Sequence, residues 1–171
     1  ITVTGATTIS GWLSTDGSTS SPFGPSKTVT NNTFNNITGG TSAITLLNIA
    51  FSNNCSTTNN LSGNTISNVS SSGAITGLNS ANGAQNFFSN TIFGLSSSGA
   101  STVTGMNISG ASTANIYRNK IYNLTGSNLS STVNGLSIGG GTTVNTYNNI
   151  IGDLKATAAS GNDVIRGISI T

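Results

Sequence analysis

The sequence predicts an all-β chain wound as a solenoid, and three observations predict it. A ten-residue phrase recurs as Thr28 to Ile37, Asn60 to Val69, Asn86 to Leu95, Asn115 to Leu124 and Asn145 to Leu154, with spacings of 32, 26, 29 and 30 residues. Self-similarity at such a period marks stacked repeats. A second phrase lies between the copies of the first, at Ile44 to Ile49, Ile75 to Ser80, Val103 to Ile108, Val133 to Ile138 and Ile165 to Ile170. Within both phrases apolar and polar residues alternate with the period of a half-buried strand, and no helical period is present.

Composition agrees. The 171 residues are 34% hydrophobic and 5% charged, against roughly 45 to 50% and 25% in an average domain. The formal charge is only +2 and the polar residues are Ser, Thr, Asn and Gly, which is not the highly charged composition of a disordered chain. Order must come from regular backbone pairing, because short polar side chains lose little entropy when fixed.

Five basic residues (Lys27, Arg118, Lys120, Lys155, Arg166) face three acidic ones (Asp16, Asp153, Asp163). They form no cluster of the kind a phosphate backbone needs, so no nucleic-acid partner is expected. No apolar run is long enough to span a bilayer, so no membrane insertion is expected, and no signal peptide is evident. Cys55 is the single cysteine, and the Cys/His spacings of metal sites are absent, so neither a cofactor nor a metal is expected.

In chain order, residues 1–27 read as a partial coil, with Ile9 to Ser14 matching the second phrase and Val3 placed where Val69 falls. Coils then run over 28–59, 60–85, 86–114, 115–144 and 145–171, making about six coils of 26 to 32 residues. Two inward columns recur in each: Phe34, Ile66, Ile92, Ile121, Ile151, and Ile37, Val69, Leu95, Leu124, Leu154. The step of three between them breaks the strand phase, and the column Asn36, Asn68, Gly94, Asn123, Asp153 consists of residues that tolerate left-handed backbone, predicting a bend there.

In the second phrase Gly77, Gly105, Gly135 and Gly167 stand between apolar columns, with Leu46 as the exception, predicting a bulge or corner. Strand segments separated by such corners predict three strands per coil, paired in parallel from coil to coil. The column Asn32, Asn64, Asn90, Asn119, Asn149 is Asn in all five copies. Stacked amides of this kind can donate to one neighbour and accept from the other, satisfying polar groups at a corner.

The Asn-x-Ile-x-x-Leu coils with their Asn column resemble the right-handed parallel β-helix, the pectate-lyase-like β-solenoid repeat, over almost the whole chain. Right-handedness also follows from the bias of parallel crossovers. The Ser/Thr/Asn/Gly-rich composition resembles the β-helical regions of large secreted bacterial surface proteins and adhesins. That resemblance implies a secreted or cell-surface location, and further coils or a cap at both ends of a longer solenoid.

Candidate functional residues lie outside the core columns. Loops between Leu154-type and Ile165-type positions vary from five to ten residues, so insertions are expected chiefly at one edge, where solenoids often bind partners. Phe88, Tyr117 and Tyr147 share one column, Phe93 and Tyr122 another, with Arg118 and Lys120 beside them. Facing outward, these would form a platform for sugar rings; facing inward, they would only stiffen adjacent coils. A glycan or cell-surface ligand is the expected partner, in a non-enzymatic structural or adhesive role.

Two other functions fit the residues less well. Enzymes resembling pectate lyases or polygalacturonases need carboxylate clusters, whereas this chain has no Glu and no His and only Asp153 and Asp163 as a near pair. An ice-binding Thr array is started by Thr33, Thr65, Thr91 and by Thr45, Thr76, Thr104, then ended by Lys120 and Ile150, and by Asn134 and Arg166. Eight Asn-x-Ser/Thr sites are about what 25 Asn among 55 Ser or Thr produce by chance, so they carry no functional information.

Overall fold

The structure is a computed structural model that describes residues 1–15, 26–51, 59–81, 83, 85–110 and 113–171; Asp16 and Cys55 lie outside the described residues. After β1 (Ile9–Thr15), the strands come in threes. They are β2 (Thr28–Thr30), β3 (Thr33–Thr38) and β4 (Ile44–Ala50); β5 (Asn59–Ser62), β6 (Thr65–Ser71) and β7 (Ile75–Ser80). Then follow β8 (Gln85–Phe88), β9 (Thr91–Ser97) and β10 (Thr102–Ile108); β11 (Thr113–Tyr117), β12 (Lys120–Gly126) and β13 (Thr132–Ile138); and β14 (Thr143–Tyr147), β15 (Ile150–Ala156) and β16 (Ile165–Ile170). The described residues contain no helix.

Each strand pairs only with its counterparts one coil before and after. The result is three parallel sheets, ordered β1-β4-β7-β10-β13-β16, β14-β11-β8-β5-β2 and β15-β12-β9-β6-β3. The described residues therefore form a parallel β-solenoid of five three-strand coils preceded by β1, in agreement with the partial coil and five full coils expected.

The columns read from sequence are the ladders of the structure. Asn115 pairs with Asn86 and Asn145, Ile121 with Ile92 and Ile151, and Leu124 with Leu95 and Leu154. Period-two alternation sends these apolar residues inward, where Ile66, Val69, Ile92, Leu95, Ile121 and Leu124 are buried with Leu47, Leu78, Met106 and Leu136 from the β4–β13 sheet. Burying such a side chain contributes about 1.5 to 3 kcal/mol.

The predicted left-handed column is present, with φ of 57° at Asn36, 52° at Asn68, 65° at Gly94, 54° at Asn123 and 50° at Asp153. It is a bend inside a continuous strand, however, not a corner between strands, since β12 runs from Lys120 to Gly126 across Asn123. The tight corner lies five residues earlier. There Asn31, Gly63, Ser89, Arg118 and Asn148 take φ between 55° and 65°, joining the first strand of each coil to the second.

The glycine column is also not a corner. Gly77, Gly105 and Gly135 sit inside β7, β10 and β13, and their backbone is not left-handed. They make room. A Cβ on Gly105 would fall inside van der Waals distance of Ile121 Cγ2 and 2.7 Å from the Gly135 carbonyl oxygen, and one on Gly77 would lie 2.9 Å from Ile92 Cγ2. Gly and the next residue both point inward, as Gly77 and Leu78 do, so the phase break is real and bulge-like.

Two further readings are corrected. Thr2 bridges Thr38, and Thr38 pairs with Ser70, which puts Ile1 rather than Val3 in the column of Val69; the following connection is longer than the five-residue loop that suggested Val3. Coil length also does not vary chiefly at one edge. Twelve residues separate β1 from β2 and eight separate β4 from β5, but only four separate β7 from β8, so the opposite edge varies at least as much.

Candidate functional site

The Asn residues build three ladders. Along the corner, Nδ2–H of Asn32 donates to Asn64 Oδ1, Asn64 to Asn90, Asn90 to Asn119 and Asn119 to Asn149, at 2.9 to 3.0 Å. The same oxygens accept the backbone N–H of the preceding rung at 3.0 to 3.1 Å. The second amide hydrogen of Asn64, Asn90, Asn119 and Asn149 goes back to the carbonyls of Val29, Leu61, Phe87 and Ile116. Asn64, Asn90 and Asn119 are buried, and each has both donors and its acceptor engaged, so the column is structural.

Two outer ladders escaped the sequence reading. Asn145, Asn115, Asn86 and Asn60 are linked by Nδ2–H to Oδ1 hydrogen bonds of 2.8 to 3.1 Å, and Asn107, Asn79 and Asn48 by the same hydrogen bonds at 2.8 Å. Both columns were visible as recurring Asn, but nothing in a single coil says that their amides meet. Strand pairing at roughly 4.8 Å brings them together.

The aromatic residues face outward. Burial alternates along β8 and β11, with Phe87, Ala114 and Ile116 inside and Phe88 and Tyr117 outside. Phe88 stacks on Tyr117 and Tyr117 on Tyr147, each at a centroid separation of 5.1 Å with planes within 6° of parallel. Phe93 stacks on Tyr122 at 5.1 Å and 3°. Parallel rings this close overlap face to face with an offset, so a ring inside a stack shows solvent its edge and a strip of face. Stiffening of adjacent coils and outward display therefore occur together.

The two stacks lie on either side of the tight corner. Exposed Arg118 occupies that corner with φ of 56°. Exposed Lys120 follows at the start of β12, paired between Thr91 and Ile150. All seven sequence-predicted residues, Phe88, Phe93, Tyr117, Arg118, Lys120, Tyr122 and Tyr147, thus share one corner and its two flanking sheets over three coils. Ile150, at 60% exposure, joins them; in the sequence it shows only as the residue that ends a Thr column.

The carboxylates considered for catalysis are held by cations. Asp153 lies 2.8 Å from Lys155, and Asp163 lies 2.8 Å from Arg166. Among the described residues, no three His, Cys, Asp or Glu side chains gather as a metal site. The Thr columns align as read, Thr33 with Thr65 and Thr91, and Thr45 with Thr76 and Thr104, and each spans three coils. No family model, no curated protein and no solved structure matches this chain.

Proposed function

We propose that this chain is a non-enzymatic structural and adhesive segment of an extracellular, cell-surface β-solenoid, and that it holds glycans along the corner carrying Tyr117, Arg118, Lys120 and Tyr122. The observation that carries the proposal is the outward display of two aromatic stacks with exposed cations between them. Rigid aromatics present large contact area at small entropic loss, and Arg and Lys beside them donate to hydroxyls. Ser, Thr and Asn coils of this kind resemble those of bacterial adhesins, which is the source of the surface location.

A glycan array probed with the wild-type chain and with the Tyr117→Ala/Tyr122→Ala double variant tests the proposal. Binding by the wild type that the double variant loses supports it. Binding that the double variant retains, or none by the wild type, overturns it. The reading as a polysaccharide-active enzyme finds less support, because acid/base hydrolysis uses carboxylates grouped around one bond, whereas Asp153 and Asp163 each sit beside a cation of their own.

A further inference from the structure

The Phe93–Tyr122 stack is interrupted in its column by a rung without a side chain. The column runs Asn35, Ser67, Phe93, Tyr122 and Gly152. Phe93 covers one face of the Tyr122 ring; on the other side the next rung is Gly152, which brings no side chain. A Cβ on Gly152 would meet nothing within 4 Å, so the space beside Tyr122 is open, and Tyr122 is 37% exposed. Tyr117, by contrast, has a ring on both faces.

We propose that this missing rung is a subsite for one pyranose ring of a glycan, stacked on the free face of Tyr122 above Gly152. The inference rests on the glycan reading given above and narrows it to a place and a ring type. Coil spacing of roughly 4.8 Å is the thickness of one stacked ring plus its offset, so a six-membered ring takes the position a fifth side chain would have filled. The rim is polar on one side and apolar on the other. The Asp153–Lys155 pair, with both side chains 49% exposed, follows Gly152 along β15 and offers a carboxylate acceptor and an ammonium donor to ring hydroxyls, while exposed Ile150 precedes it. An aromatic face with donors and acceptors at its edge suits a hexopyranose whose hydroxyls are equatorial and whose face is unbroken C–H, as in β-linked glucose.

The test pairs the glycan array with a titration of cellobiose followed through the tyrosine ring resonances. Gly152→Phe fills the gap with protein; it extends the stack and raises Tm by about 2 °C, while weakening β-glucan binding at least about tenfold. Tyr122→Leu keeps apolar bulk without a ring and weakens binding similarly, and Leu129→Ser, at an exposed position in the connection between β12 and β13, leaves it intact. Cellobiose shifts the Tyr122 ring protons more than those of Tyr117. If the wild type binds glycans but Gly152→Phe binds equally well, or if Tyr147 carries the shifts, the subsite is wrong and the broader glycan reading stands. If the wild type binds no glycan on the array, both are wrong.

Discussion

At the scale of single residues, the fold depends on two columns of left-handed backbone in each coil. Asn123 and its stacked counterparts turn the strand, and Arg118 with its counterparts turns the corner. Asn and Gly enter this region readily, whereas a β-branched residue there is a genuine outlier. Asn123→Val is therefore expected to lower stability by about 1 to 2 kcal/mol, and Asn123→Gly to change it by less than about 0.5 kcal/mol, its added chain entropy offsetting the relieved strain. Urea denaturation of the two variants checks this. Equal stability would mean that the position is not held left-handed. The second column shows how chemistry hides geometry: Asn31, Gly63 and Asn148 advertise the turn, but Ser89 and Arg118 adopt the same φ because the coils above and below impose it.

At the scale of the elements, the three Asn ladders differ in what surrounds them. The corner rung Asn119 is buried, donates to Asn149 Oδ1 and the Phe87 carbonyl, and accepts from both the side chain and the backbone N–H of Asn90. Removing its amide strands several buried groups at once, each worth roughly 1 to 3 kcal/mol when unsatisfied. Asn115 belongs to an outer ladder and is only half-buried, so water replaces its partners. Asn119→Ala is expected to lose at least about 2 kcal/mol and Asn115→Ala about 0.5 to 1 kcal/mol, measured by chemical denaturation. Comparable losses at both positions would remove the distinction between inner and outer ladders. The glycine column makes the same point about facing elements: Gly105 is small because Ile121, from another sheet, fills the space where its side chain would be.

At the scale of the whole molecule, stability is distributed along the axis, since each coil touches chiefly its two neighbours. The inward residues of β6, β7, β9, β10, β12 and β13 are enclosed by coils on both sides. In the last coil, Ile151 and Leu154 are half-buried and Ile168 is 49% exposed. At the other end β1 is paired on one side only, with Trp12 and Leu13 exposed, so opening from either end exposes less new apolar surface than opening in the middle, and local unfolding should begin at the ends. Amide exchange of this chain is expected to be slowest in β9, β10 and β12 and fastest in β1, β14 and β16. A uniform rate through all five coils would show a single cooperative unit instead. The described ion pairs, Asp153 with Lys155 and Asp163 with Arg166, are solvent-exposed and contribute little to this balance.

The sequence alone determined the coils, the inward Ile and Leu columns, the corner Asn ladder and the bend at Asn123. The reason is physical: in a solenoid, residues one period apart become hydrogen-bonded neighbours, so a recurring residue is already a contact along the axis. It could not place what depends on directions across the axis. Whether Phe88, Tyr117 and Tyr147 point out needs the strand's phase relative to the core, which the tight corner at Arg118 resets. That Gly105 yields space to Ile121 needs the facing sheet. That the Phe93–Tyr122 stack ends in an open gap at Gly152 needs the tilt of the rings and the emptiness beside them, and those were decided only when the three sheets closed around one core.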